Sequence, residues 1–188
     1  MVYKGKRGKL LEKYVLKGRF NMDYCPKNYP YDLPLYLNNK SNKNVSIKCS
    51  LNNTIYCSDL FNFLNSVSLE LIIVSYKLAN NNIKILNYYL FSELDLFFIN
   101  LNNNIDLVLL RELKCYIKNL KYPFSKEERA KAHRIPKLVV KNIFYGFRVN
   151  VKLSKNNKRI QCSLKLDQLL EGVSFECLKL KTVIKLSK

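Results

Sequence analysis

The stretch GFRVNVKLSKNNKRIQCSLKL, residues 146–166, alternates twice between apolar and polar side chains. Phe147, Val149, Val151 and Leu153 are interleaved with Arg148, Asn150 and Lys152; after a polar loop, Ile160, Cys162, Leu164 and Leu166 resume the pattern. A period of two places successive side chains on opposite faces of a strand. The stretch therefore predicts a β-hairpin with one buried face, and its Ser154–Arg159 loop carries a basic tip of Lys155, Lys158 and Arg159.

Upstream of the hairpin, Ser125 and Glu128 have the spacing of a capping box, which starts a helix, and Pro136 ends or kinks it. Its exposed positions are Lys126, Arg129, Lys131 and Arg134, followed by Lys137 and Lys141. A preceding helix has Leu109, Leu113, Ile117 and Leu120 on one face and Arg111, Lys114 and Lys118 on the other. Nearer the N-terminus, Val45, Ile47, Cys49 and Leu51, the pair Asn52-Asn53, then Ile55 and Cys57 predict another hairpin. With Ser58 as N-cap, Leu60, Leu64, Val67, Leu71, Val74 and Leu78 recur in steps of four and three, which predicts an amphipathic helix ending at Asn80-Asn81-Asn82. Residues 83–91 read as a strand, and Val173, Phe175 and Cys177 lead into a further strand over residues 178–186. The fold class is α+β.

The chain has 188 residues, room for one domain or two small ones. Its 33 Lys+Arg against 14 Asp+Glu give a formal net charge of +19, which argues for a polyanionic partner and against a metabolic enzyme of ordinary charge. The excess is not spread evenly. Net charge is +6 over residues 1–19, −1 over 20–110, +12 over 111–159 and +2 over 160–188. A charge serving solubility alone would be scattered, so the +12 block points to a phosphate backbone. Asn and Lys number 23 and 26 while Ala occurs three times and Trp never, the mark of an AT-rich genome such as that of an organelle, a parasite or a large virus.

An apolar content of 48% excludes a disordered chain. Charged and amide residues interrupt every apolar stretch long enough to cross a bilayer, so no membrane partner is expected. Residues 1–20 lack the apolar segment of a secretory signal and the serines of a transit peptide, as expected of a protein made inside an organelle. The six cysteines show no Cys-x-x-Cys spacing, which speaks against zinc, and three of them fall in the apolar phase of strands, which favours buried reduced thiols over disulfides.

Signals for catalysis are sparse. His133 has no partner in sequence, Glu127-Glu128 is explained by a helix start, and Glu93 with Asp95 is a single acidic pair. An intron-encoded or viral nuclease using those two acids is the alternative reading, followed by a viral protein that binds acidic partners. The Gly5-Lys-Arg-Gly8 string could present backbone N–H groups to phosphate ahead of a helix at Leu10–Leu16, or be a plain basic extension.

Several of these strings, in this order, resemble the family of the small-subunit ribosomal protein numbered three. Gly5-Lys-Arg-Gly8 resembles the glycine-bracketed basic loop of that family's KH domain; Ile83-Lys-Ile85 and Glu93-Leu-Asp95 resemble a strand and its exit. Ile117 to Phe124, followed by Lys126 and Arg129, resembles a helix junction, and residues 146–151, 158–166 and 171–173 resemble the opening strand, second strand and turn of the hairpin domain. The chain departs from the pattern at residues 20–82, which look like an insertion or a rebuilt region, and at Leu153-Ser154, where a Gly-Arg is usual. The resemblance, carried mainly by residues 83–180, implies two small domains: a basic segment 1–19 and a degenerate KH-like region with insertion over 20–102, then a helix-plus-hairpin RNA-binding domain over 103–188. It implies a structural, non-enzymatic role in an organellar small ribosomal subunit, in the mitochondrial matrix, bound to ribosomal RNA of the head near the path of the messenger. Neighbouring ribosomal proteins, and a separately encoded N-terminal portion, are the further partners it implies; no metal or cofactor is expected. The RNA contacts expected are Lys4, Lys6, Arg7 and Lys9 at the N-terminus, Arg111, Lys114 and Lys118, Lys126, Arg129, Lys131, Arg134, Lys137 and Lys141 on the helices, and Arg148, Lys152, Lys155, Lys158 and Arg159 on the hairpin.

Overall fold

A computed structural model describes residues 4–23, 31–66, 68–79, 82–142, 144–178 and 183–185. Helices and strands are mixed as an α+β fold around one sheet. In chain order the elements are α1 (Lys4–Phe20), β1 (Asn44–Ser50), β2 (Thr54–Asp59), α2 (Leu60–Leu64), β3 (Leu69–Ala79), β4 (Asn82–Phe91), α3 (Asp95–Asn103), α4 (Leu107–Asn119), α5 (Lys126–Arg134), α6 (Pro136–Val139), β5 (Arg148–Ser154), β6 (Asn157–Lys165), α7 (Leu166–Gly172), β7 (Glu176–Leu178) and β8 (Val183–Lys185). The sheet runs β5-β6-β2-β1-β3-β4-β7, with β8 also on β4. All its pairings are antiparallel except β1 with β3.

A boundary at residue 103 does not divide this sheet. Strand β2, from the expected first domain, pairs with β6, and β7 and β8 return from the C-terminal end to pair with β4. The two halves of the sheet, β1-β3-β4 and β2-β6-β5, meet at the single register pair Ser50↔Ile55. Where β2 leaves β1, the gap is filled by Leu33, bridged to Val45, and by Asp32, whose carboxylate accepts from Ile47 N at 2.6 Å and Lys48 Nζ at 3.1 Å.

Two cores lie on opposite faces. On one, Ile55, Leu71, Ile73, Phe91, Val149, Ile160 and Leu164 meet the buried sides of α2 to α7. On the other, Ile72, Val74, Tyr76, Ile83 and Leu90 meet Leu11, Val15, Leu16 and Phe20 of α1. The spacing 11, 15, 16, 20 draws one apolar stripe along a helix, so residues 4–20 are a packed helix and not a basic tail. The Gly5-Lys-Arg-Gly8 string accordingly sits inside α1 and forms no loop.

The helix expected over 59–79 is the largest correction. Only Leu60–Leu64 is helical, capped by Asp59, whose carboxylate accepts from Phe61 N and Asn62 N, rather than by Ser58. Residues 69–76 are instead strand, every one buried. A strand with a core on each face loses its alternation and reads as a continuous apolar run, which periodicity cannot tell from a helix. Leu69, Leu71 and Ile73 face one core; Ile72, Val74 and Tyr76 face the other. The β-branched trio Ile72, Ile73 and Val74 favours the extended form. Val67 and Asn80-Asn81 of that reading lie outside the described residues, as does part of the strand expected over 178–186, of which β7 and β8 are the described parts.

The remaining elements follow the sequence more closely. The hairpin at 148–165, the strand at 82–91 and helix α4 are present; of the hairpin expected at 44–59 the two strands and their turn are present, but they pair only at Ser50↔Ile55 before β1 turns to β3 and β2 to β6. The second hairpin is tighter than read, because Ser154 pairs with Asn157; Lys155 lies in the turn while Lys158 and Arg159 belong to β6. Helices α3 and α7 were not read from the sequence. The capping box forms: Ser125 Oγ accepts from Glu128 N at 3.1 Å and Ser125 N donates to Glu128 Oε2 at 2.7 Å. Replacing Ser125 with Ala should lower stability by about 1 kcal/mol, as read from the denaturant midpoint.

Candidate nucleic-acid interface

Helices α4, α5 and α6 pack on one face of β5-β6 through Leu110, Leu113, Ile117, Ala132 and Val139. Their opposite sides carry the basic block. Arg111, Lys114 and Lys118 of α4, Lys126, Arg129, Lys131 and Arg134 of α5, Lys137 of α6 and the following Lys141 are all exposed. Two ion pairs occur among the described residues, Lys17 with Asp23 and Lys48 with Asp32, and neither involves a cation of residues 111–159. Among the described residues, then, no acid forms an ion pair with a cation of that block.

Aromatic rings hold several of these cations in place. Lys114 Nζ lies 3.9 Å from the Phe61 ring centroid, Lys131 Nζ 4.7 Å from that of Tyr116, and the Arg129 guanidinium 5.2 Å from that of Phe124. Such contacts limit side-chain freedom before any anion arrives.

Strand β5 is the outer edge of the sheet. On its helix side a groove of about 600 Å³ is lined by His133, Pro136, Lys137, Arg148, Lys165 and Gln168. On its far side a depression of about 380 Å³ is lined by Thr54, Tyr56, Arg148, Lys152, Gln161 and Lys165. Gly146, Arg148, Asn150, Val151 and Lys165 line both, so one surface wraps around the edge. Gly146 makes this passage feasible. It has φ +60°, and a Cβ there would fall 2.4 Å from Lys165 Cγ; only glycine adopts that backbone without strain.

The structure separates residues that the sequence had grouped. Lys158 Nζ donates to the carbonyl of Lys118 at 3.3 Å and to that of Leu120. It therefore neutralises the carbonyl end of α4, where a cation is favoured. Lys158→Ala should lower stability by about 0.5 kcal/mol and leave nucleic-acid affinity nearly unchanged, whereas Arg159→Ala should do the opposite; thermal melts and binding isotherms on both variants distinguish the roles. Arg7 and Lys9 lie on α1, Arg7 half-buried and Lys9 exposed, and neither lines the surface around β5; the backbone of Lys4 and Lys6 is in the same helix. His133 joins the groove.

No family model, curated protein or solved structure matches the chain. The interface is consequently defined by its own geometry. Sequence reading missed Tyr56 and Lys165. Both were legible as the out-of-phase residues of their strands, Tyr56 between buried Ile55 and Cys57, Lys165 between buried Leu164 and Leu166.

Acidic side chains gather weakly. Glu93 and Asp95 are both exposed and line one depression with Lys43 and Asn100, at the start of α3. Among the described residues no group of three or more His, Cys, Asp or Glu is placed to hold a metal. Nor is any helix among them long and apolar enough to cross a membrane.

Five cysteines fall among the described residues, all as free thiols, and Cys25 lies outside them. Cys57 and Cys162 are buried, Cys49 is half-buried, and Cys115 and Cys177 are exposed. Burial pushes the Cys49 thiol up from about 9 to about 12, and the Tyr88 phenol up from about 10 to about 12. Cys162 is also held well up, by burial and then by the adjacent Cys57. Since the folded state keeps these protons longer than the unfolded chain, their contribution is fully present below pH about 9 and is lost as pH rises toward about 12. Denaturant midpoints measured across that range should fall, and Cys49→Ala should reduce the slope.

Proposed function

We propose that this chain is an RNA-binding structural protein of an organellar, mitochondrial small ribosomal subunit, a divergent member of the ribosomal protein three family. The observation that carries the reading is the uncompensated basic surface formed by α4, α5, α6 and the edge strand β5, with no ion pair to its own acids among the described residues. Phosphate contacts from Lys126, Arg129, Arg134, Lys137, Arg148, Lys152 and Arg159 supply the affinity, and Lys155 at the turn extends it. Supporting it further are the AT-driven composition and the ordered resemblance over residues 83–180. The role requires stable association with ribosomal RNA and no turnover of substrate.

The test is sedimentation of organellar ribosomes at low salt, about 50 mM, where the phosphate contacts are strongest. The protein should travel with the small subunit in a fixed ratio. Its recovery at the top of the gradient would overturn the assignment, and magnesium-dependent cleavage of nucleic acid abolished by Glu93→Gln or Asp95→Asn would replace it with a nuclease.

A further inference from the structure

The sheet face that carries α1 is covered over only half its width. Over β1-β3-β4 that face is sealed by Leu11, Val15, Leu16 and Phe20; among the described residues the half formed by β2-β6-β5 packs against no helix there. Alternation identifies what points there. The partners of these side chains in phase, Ile55, Val149, Val151, Ile160, Cys162 and Leu164, all enter the opposite core, so Thr54, Tyr56, Arg148, Asn150, Lys152, Arg159 and Lys165 lie on the uncovered side.

Tyr56 is the anomaly on this face. It is 66% exposed, whereas Tyr76, Tyr88, Tyr89 and Phe91 of the same sheet are buried to 9% or below. The register places Tyr56 beside Ser163 and Ser163 beside Arg148, in one row across three strands. Lys165 pairs with Thr54 one step away, and Lys152 pairs with Arg159 toward the turn. An open ring therefore shares its face with four cations: Arg148 in its own row, Lys165 in the next row on one side, and Lys152 with Arg159 two rows away on the other, beyond the Asn150 amide, which donates to Ser163 Oγ at 3.3 Å.

Resting on the RNA-binding reading above, we infer that this uncovered face is a platform for single-stranded RNA, on which an unpaired base stacks on Tyr56 while Arg148, Lys152, Arg159 and Lys165 hold its phosphates. A flat aromatic amid cations matches a strand whose bases are splayed out, and a duplex, whose bases are already stacked on each other, cannot use it. Charge complementarity selects a polyanion over an apolar partner, and the exposed ring selects one with π-faces over an acidic peptide.

The 188-residue chain is titrated with a single-stranded oligouridine and with an RNA duplex of equal length, as wild type, Tyr56→Ala and Tyr56→Phe. Loss of one stacked base should weaken single-strand binding by roughly ten- to a hundredfold in Tyr56→Ala. Phe should restore it, and duplex affinity should be unchanged in both variants. Unaltered single-strand affinity in Tyr56→Ala would overturn the platform while leaving the RNA-binding reading standing. So would an equal loss on both RNAs, or displacement of the single strand by a polyglutamate peptide at comparable concentration. A wild-type chain that binds neither RNA would overturn both.

Discussion

Raising monovalent salt from 50 to 200 mM should weaken binding to ribosomal RNA about a thousandfold, if about six phosphates are neutralised on the surface around α5 and β5. The steepness follows from counterion release: each phosphate contact frees a condensed ion, and the logarithm of affinity falls by nearly one per contact for each tenfold rise in salt. The candidate contacts are exposed and form no ion pair with an acid among the described residues, so their charge is open to phosphate. Arg129→Glu, Arg134→Glu or Arg148→Glu should each flatten the slope. Lys84→Glu, on β4 and away from the interface, should leave it close to that of the unaltered chain. Isotherms at four or more salt concentrations decide the matter, and a flat profile would mean that the basic surface does not engage phosphate.

Phe20→Ala should cost about 3–5 kcal/mol, the largest stability loss expected from a single change in the N-terminal segment. Phe20 is 2% exposed and closes the end of α1 over the second core, with Leu11 and Leu16 likewise buried. Removing the ring opens a cavity against Ile72, Val74 and their neighbours, which are fixed in the middle of the sheet and cannot collapse into it. Lys17→Ala, on the same helix, breaks only an exposed pair with Asp23 at 2.9 Å and should change stability by under about 1 kcal/mol. Equal and small effects from both substitutions, measured by urea denaturation, would mean that α1 is an appended basic tail.

The contrast between these two residues explains what could be read from the sequence. Where one face of an element is wet, the pattern was plain: β5 and β6 alternate, α4 carries a four-three stripe, and Ser125 with Glu128 announces α5. Where both faces are dry, it was not. Leu69 to Tyr76 is buried throughout, so its side chains carry no polar half to mark the period, and the two cores they serve are visible only once α1 is in place. Helix α1 is legible only over Leu10–Leu16, and its packed role is not, for a different reason: seven basic residues in its segment outweigh the narrow stripe of Leu11, Val15, Leu16 and Phe20. The candidate interface was legible as a list of cations, but not as a surface. Lys158 looked like its neighbours and caps α4 instead; Lys165 and Tyr56 were passed over because each interrupts an apolar strand by a single residue.

The most direct test is ultraviolet cross-linking of the chain on intact small ribosomal subunits, followed by mapping of the RNA-bearing peptides. RNA should be attached within residues 126–141 and 148–159, and at Tyr56. Cross-links confined to α1 and β4, or none at all in subunits that contain the protein, would contradict an RNA interface wrapped around β5.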